Sequence, residues 1–139
     1  MVPTASTTSH KATLPDEIRG ALGAHGRWKI RLHAAIEAGN GAFTVAEVEG
    51  EHLCDLGKFL HHRVPMAARR SGHWRRCMDL HAQFHKAAAR ALQMALDGKK
   101  EAALAEWEAS GKMAALSRAL TGELLDWQAA PGPAPHGKT

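Results

Sequence analysis

Four side chains hold most of the chemistry available to this sequence: His25 in AHGRW, Cys54 in LCDLGKF, and His81 and His85 in LHAQFH. A thiolate and three neutral imidazoles make a closed tetrahedral donor set that suits Zn2+ and leaves no position for a substrate water. His81 and His85 are the sharpest part of the pattern. Residues four apart on a helix stack on one face, so both rings can reach one ion from a single rigid element. Cys54 is expected near the start of a short helix, where amide N–H groups favour thiolate over thiol.

These donors need helices to bring them together. Ala and Leu abound, there is no Tyr and only 3 Phe, and β-branched residues are few, a composition that favours helices over strands. The first helix is predicted to start at Thr13 or Leu14, with Pro15 near its first position and Asp16 and Glu17 in its first turn. Its apolar stripe runs Ile18, Leu22, His25, Trp28, Leu32, Ile36, which places His25 on the buried face. The glycines of EAGNGAF end it. A connector from Phe43 to Gly50 leads to a short helix through LCDLGKFLHH, whose Gly57 permits close approach to a neighbour. Apart from Leu56 and Phe59, that helix is expected to have little packing of its own. A third helix is predicted from about His73 to Leu96, with the stripe Trp74, Met78, His81, His85, Ala88, Leu92. A fourth runs from about Lys99 to Trp127. The fold class expected is all-α, an antiparallel four-helix bundle of three long helices plus one short Cys-bearing helix. The bundle spans residues 14–128, between a disordered arm (1–13) and a Pro/Gly-rich disordered tail (129–139).

At this point the motifs identify a family. His25-Gly-Arg-Trp28, Cys54-Asp-Leu56-Gly57-Lys-Phe59 and His81-Ala-Gln-Phe-His85 resemble, in order and spacing, the pattern of the bacterial chemoreceptor zinc-binding (CZB) domain family. That pattern is His-x-x-Trp, Cys-x-Leu-Gly-x-aromatic and His-x-x-x-His. Phe59 stands where many members have Trp, which leaves the ligand set untouched. The resemblance covers about residues 14–127. It implies a four-helix Zn2+ domain ligated by His25, Cys54, His81 and His85 that forms homodimers and regulates something else. Relatives sit at the ends of cytoplasmic chemoreceptors or beside diguanylate cyclase domains. There zinc occupancy, or oxidation of the bound cysteine by hypochlorous acid, shifts signalling. With no such domain expected beside it, a stand-alone protein is expected, either with a signalling partner in trans, serving signal transduction, chemotaxis or redox sensing, or acting alone as a zinc buffer or sensor.

Simpler explanations exist for each residue alone. A lone inward histidine is ordinarily a satisfied core residue, and a buried cysteine an inert one. Ten histidines in 139 residues make one His-x-x-x-His by chance unremarkable. Cys77, one turn before His81, is expected as a small packing residue, though it could replace a ligand or pair with Cys54 in a disulfide. His52, His61 and His62 flank the short helix, where solvent exposure or adventitious metal would account for them. His33 and His73 have no partner spacing. The four tryptophans, Trp28, Trp74, Trp107 and Trp127, suit the core or an interface. Trp127 and a second apolar stripe on the fourth helix offer a dimer face.

Other classes are disfavoured. Hydrophobic residues make up 45% and charged ones 23%, as in ordinary globular domains. No apolar run is long enough to cross a bilayer, and no secretory leader is evident. A cytoplasmic protein without membrane contact is expected. Arg69, Arg70, Arg75 and Arg76 suggest a nucleic-acid surface, but the net charge is only +4 and no aromatic but Trp74 is interleaved, so a solvated loop and helix start or an acidic partner's docking patch is expected, and no nucleic acid. Paired inward carboxylates and phosphate loops are absent, so no enzyme is expected. Two competing readings remain: a hemerythrin-like di-iron bundle, which needs bridging carboxylates, and a metal-free structural adaptor.

Overall fold

The computed structural model describes residues 13–39 and 42–130, and among them six α-helices and no strand. Residues 1–12 of the expected arm and 131–139 of the expected tail lie outside the described residues. Helix α1 (Leu14–Ala38) opens with a capping box: Thr13 Oγ1 accepts from Asp16 N–H, and the Asp16 carboxylate accepts from Thr13 N–H. Gly39, in the left-handed region at φ 67°, closes it. Helix α4 (Gly72–Leu96) is capped by Ser71 and ends at Asp97. These two helices of 25 residues each carry the three histidines on their buried faces, as the stripes predict.

The connector expected from Phe43 to Gly50 contains a helix of its own. Helix α2 (Val45–Glu49) is nucleated by a second capping box, Thr44 with Glu47, and buries Val48. A 3-10 turn (Glu51–Leu53) follows, then α3 (Asp55–Lys58) with Cys54 as its N-cap, then a π-helical segment (Phe59–Arg63). The expected single short helix is therefore three different helical turns in series. Its expected lack of packing is overturned: Leu56, Phe59, Leu60 and Val64 are all buried. Arg69 holds the end of this segment by donating to the His61 and Val64 carbonyls, both at 3.0 Å, and lies over the Trp74 ring. Trp74 Nε1 donates to the Leu60 carbonyl.

The expected fourth helix is broken. Helix α5 (Lys100–Ala105) and helix α6 (Lys112–Ala129) are separated by a turn through Trp107 and Gly111. Met113 and Ala114 N–H groups both donate to the Glu106 carbonyl. The backbone folds back so closely that a Cβ on Gly111 would stand 2.3 Å from Glu106 O. Helix α4 packs against α6, α2 and α5, and α1 packs against α6, α3 and α5.

Two apolar clusters fill the interior. One gathers Ile18, Leu56, Phe59, Leu60, Cys77, Leu120, Leu124 and Trp127. The other gathers Leu32, Ile36, Val48, Phe84, Leu92, Ala103 and Met113. Trp28 packs against both, and its neighbours His25 and His85 lie at the level between them. Trp127 is buried against Phe59, so it belongs to the core and not to an exposed dimer face. No helix among the described residues is long and apolar enough to cross a membrane.

Candidate metal centre

The structure brings all four predicted donors together. His25 from α1 and His81 and His85 from α4 are buried, with ligating atoms within 4.8 Å of one another. Cys54 Sγ lies 3.3 Å from His81 Nε2 and 3.4 Å from His85 Nε2. Ligand bonds of 2.0–2.3 Å at tetrahedral angles give a sulfur–nitrogen edge of about 3.5 Å and a nitrogen–nitrogen edge of about 3.4 Å. The two sulfur edges, to His81 and His85, match that geometry, and the three imidazole donors come within 4.8 Å of one another.

Each ring is held by its surroundings. His85 Nδ1 is 2.6 Å from the Val48 carbonyl oxygen, an acceptor, so that nitrogen carries the proton and Nε2 presents its lone pair to the cluster. Val48 is supplied by α2, which gives this small helix its part in the site. Trp28 stacks on His25 at 5.7 Å between ring centroids and lies 4.6 Å from His85. Phe84 closes on His25 edge-on at 5.0 Å. His81 and His85 meet at 4.4 Å.

The donor nitrogens suit a cation. His25 Nε2 is buried without a hydrogen-bond partner. Such an orphan ordinarily costs about 1–3 kcal/mol, a cost removed when the lone pair meets a metal. Burial, reinforced by the nearby rings, pushes His25 down to about 3 and His81 down to about 2, and burial lowers His85 as well. All three are thus held neutral, the form that ligates metal.

Cys54 departs from expectation in one respect. Its sulfur accepts from Gly57 N–H at 3.4 Å, and that contact does favour thiolate. Burial outweighs it, and the thiol's pKa is raised. The thiol also approaches the Glu51 carbonyl at 3.6 Å. An adjacent divalent ion, not the helix start, would have to take the proton. Gly57 permits the arrangement: a Cβ there would stand 1.8 Å from Glu51 O. A cavity of about 420 Å³, lined by Arg27, Trp28, Arg31, Phe43 and Cys54 among others, reaches the cysteine from solvent.

The remaining candidates fall elsewhere. Cys77 is free and fully buried in the apolar cluster around Leu120 and Leu124, with burial pushing its thiol up to about 12. It is a packing residue, neither in the donor cluster nor in a disulfide with Cys54. Arg69 caps the π-helical segment and Arg76 pairs with Glu123, so this part of the basic stretch is structural. His73, which had no partner by spacing, bonds Glu123 across to α6. Among the described residues no carboxylate joins the three-histidine cluster.

No curated protein and no solved structure matches the chain. The family model described as the chemoreceptor zinc-binding domain matches residues 25–92, a span that begins at the first donor histidine and takes in the cysteine and the other two. With the three motifs of that match folded into one buried cluster, this part of the chain belongs to the chemoreceptor zinc-binding domain family.

Proposed function

We propose that this chain is a zinc-dependent regulatory module in which His25, Cys54, His81 and His85 hold one Zn2+ and no substrate. The observation that carries the reading is the meeting of three neutral, buried imidazoles with one cysteine sulfur that stands 3.3 and 3.4 Å from two of them. Zinc is a closed-shell Lewis acid that would keep Cys54 deprotonated and join α1, α3 and α4. In this reading α1, α4, α6 and the Cys-bearing segment make up an antiparallel four-helix bundle.

The residues around the sulfur support a sensing role over catalysis. Cys54 reaches the surface through a cavity, so oxidants and competing chelators have access to the one donor that chemistry can alter. Two-electron oxidation to sulfenate weakens that donor. Cys54 is also the N-cap of α3, so its loss as a ligand loosens the contact between the 51–58 segment and α4. Output then passes to a signalling partner in trans, of chemoreceptor or diguanylate cyclase type, with the chain acting as a non-enzymatic cytoplasmic homodimer, without membrane or nucleic-acid contact. The dimer rests on the family resemblance, with Leu125 of α6 47% exposed as one apolar contact on offer.

The zinc-loaded chain treated with one equivalent of hypochlorous acid tests the reading, with released zinc captured by a chromogenic chelator. Release that tracks loss of the Cys54 thiol, together with changed hydrogen exchange in residues 51–63, is the expected outcome. Retention of zinc after Cys54 is oxidised would contradict it.

A further inference from the structure

Three polar side chains beside the buried centre are absorbed by neither the fold nor the proposed function. Glu51 and His52 come from the 3-10 turn and His61 from the π-helical segment. His61 Nε2 is buried yet makes no hydrogen bond, and Glu51 Oε1 lies 3.5 Å from it. That spacing is close to the edge of a zinc or cobalt tetrahedron, about 3.4 Å for oxygen and nitrogen donors. The His52 and His61 ring centroids are 6.2 Å apart and near perpendicular, against 5.2 Å and 5.9 Å for His25 with His81 and His85. His52 is exposed, and its ring would have to turn toward His61 to complete a donor set.

We propose that Glu51, His52 and His61 form a second divalent-metal site, open to solvent, beside the buried one. Two imidazoles and a carboxylate are a familiar donor set for zinc with its fourth position left to water, and they accept Co2+, Ni2+ and Cu2+ as well. The backbone beneath is fixed: Arg69 holds the His61 carbonyl at 3.0 Å, and Gly57 seats the turn that carries Glu51. π-Helical turns are rare and recur at functional positions. The Glu51 carbonyl contacts Cys54 Sγ, so an ion held by the Glu51 side chain stands near the entrance to the buried donors. The site is partly exposed and lacks a thiolate, so it binds more weakly and exchanges faster than the buried centre.

Titration of the full-length apo chain with Co2+ tests this, because the two sites have different spectra. The buried site gives a near-ultraviolet thiolate-to-cobalt charge-transfer band that saturates at one equivalent. The outer site gives a second equivalent with visible ligand-field absorption and no added charge transfer. The double variant His52→Asn/His61→Gln loses the second equivalent and keeps the first. His52→Asn alone, at an exposed position, weakens the second by about tenfold or more, and His62→Asn leaves both unchanged. Saturation of the wild type at one equivalent, or survival of the second equivalent in the double variant, overturns the proposal. Absence of the charge-transfer band would count against the buried site instead, so the two failures are distinguishable.

Discussion

Cys54 does two jobs with one sulfur. It caps α3 by accepting from Gly57 N–H, and it faces His81 and His85 across the interior. Serine is a good N-cap but a poor zinc donor, so substitution separates the roles. Cys54→Ser is expected to keep the helical content of the apo chain while zinc affinity falls at least about tenfold in chelator competition. Cys54→Ala is expected to lose both, with roughly 1 kcal/mol of cap stability added to the metal loss. Gly57 is the residue on which this geometry rests. Its missing Cβ is the space taken by the Glu51 carbonyl, 1.8 Å from where the carbon would stand. Gly57→Ala must displace backbone, so a loss of about 2 kcal/mol or more in denaturant unfolding is expected, with weaker zinc binding. Unchanged stability would show that the 51–58 turn is not held as described.

At the scale of elements, the short helices are positioned by their caps and by packing, since five residues are too few for a stable isolated helix. Helix α2 depends on the Thr44 capping box, and through the Val48 carbonyl it fixes His85. Thr44→Ala is therefore expected to cost about 1 kcal/mol and to lower zinc affinity although it touches no donor. Equal affinity in wild type and variant would detach α2 from the site. The long helices α1 and α4, their buried faces and the four residues that meet between them were legible in the sequence, because 3.6-residue periodicity and the Cys-x-Leu-Gly context write them directly into side-chain identity. Helix α2 was missed even though Thr44-Val-Ala-Glu47 is a capping-box signature, because five residues show no periodicity. The break at Trp107–Gly111 was illegible because Gly111 acts through close backbone approach to Glu106, a tertiary contact that no local pattern carries. The Val48 carbonyl was illegible because a backbone acceptor has no residue type.

Over the whole molecule, α4 is fastened to its partners by two polar devices at different levels. Glu123 of α6 receives His73 at 2.5 Å and Arg76 at 2.8 Å. Hydrogen bonding from Arg76, joined by His73, holds the Glu123 carboxyl below its usual range. A depressed carboxylate adds stability at neutral pH that is lost as pH falls from the ordinary carboxyl range through the lowered folded value. Glu123→Gln is expected to flatten that acid limb of stability against pH, and an unchanged limb would refute the pairing. The second device is the four-donor cluster, where a bound ion stabilises the fold by mass action, about 2.7 kcal/mol when free zinc is 100 times its Kd. Chelation is accordingly expected to lower Tm in wild type and to leave Cys54→Ala little affected. The central claim is that one zinc sits among His25, Cys54, His81 and His85, and native mass spectrometry with elemental analysis of wild type and Cys54→Ala tests it most directly. The account predicts a tightly held zinc in the wild type that survives dilution and mild chelation and is lost or greatly weakened in the variant. Wild-type chain free of metal after zinc loading, or zinc held equally well by both proteins, would contradict it.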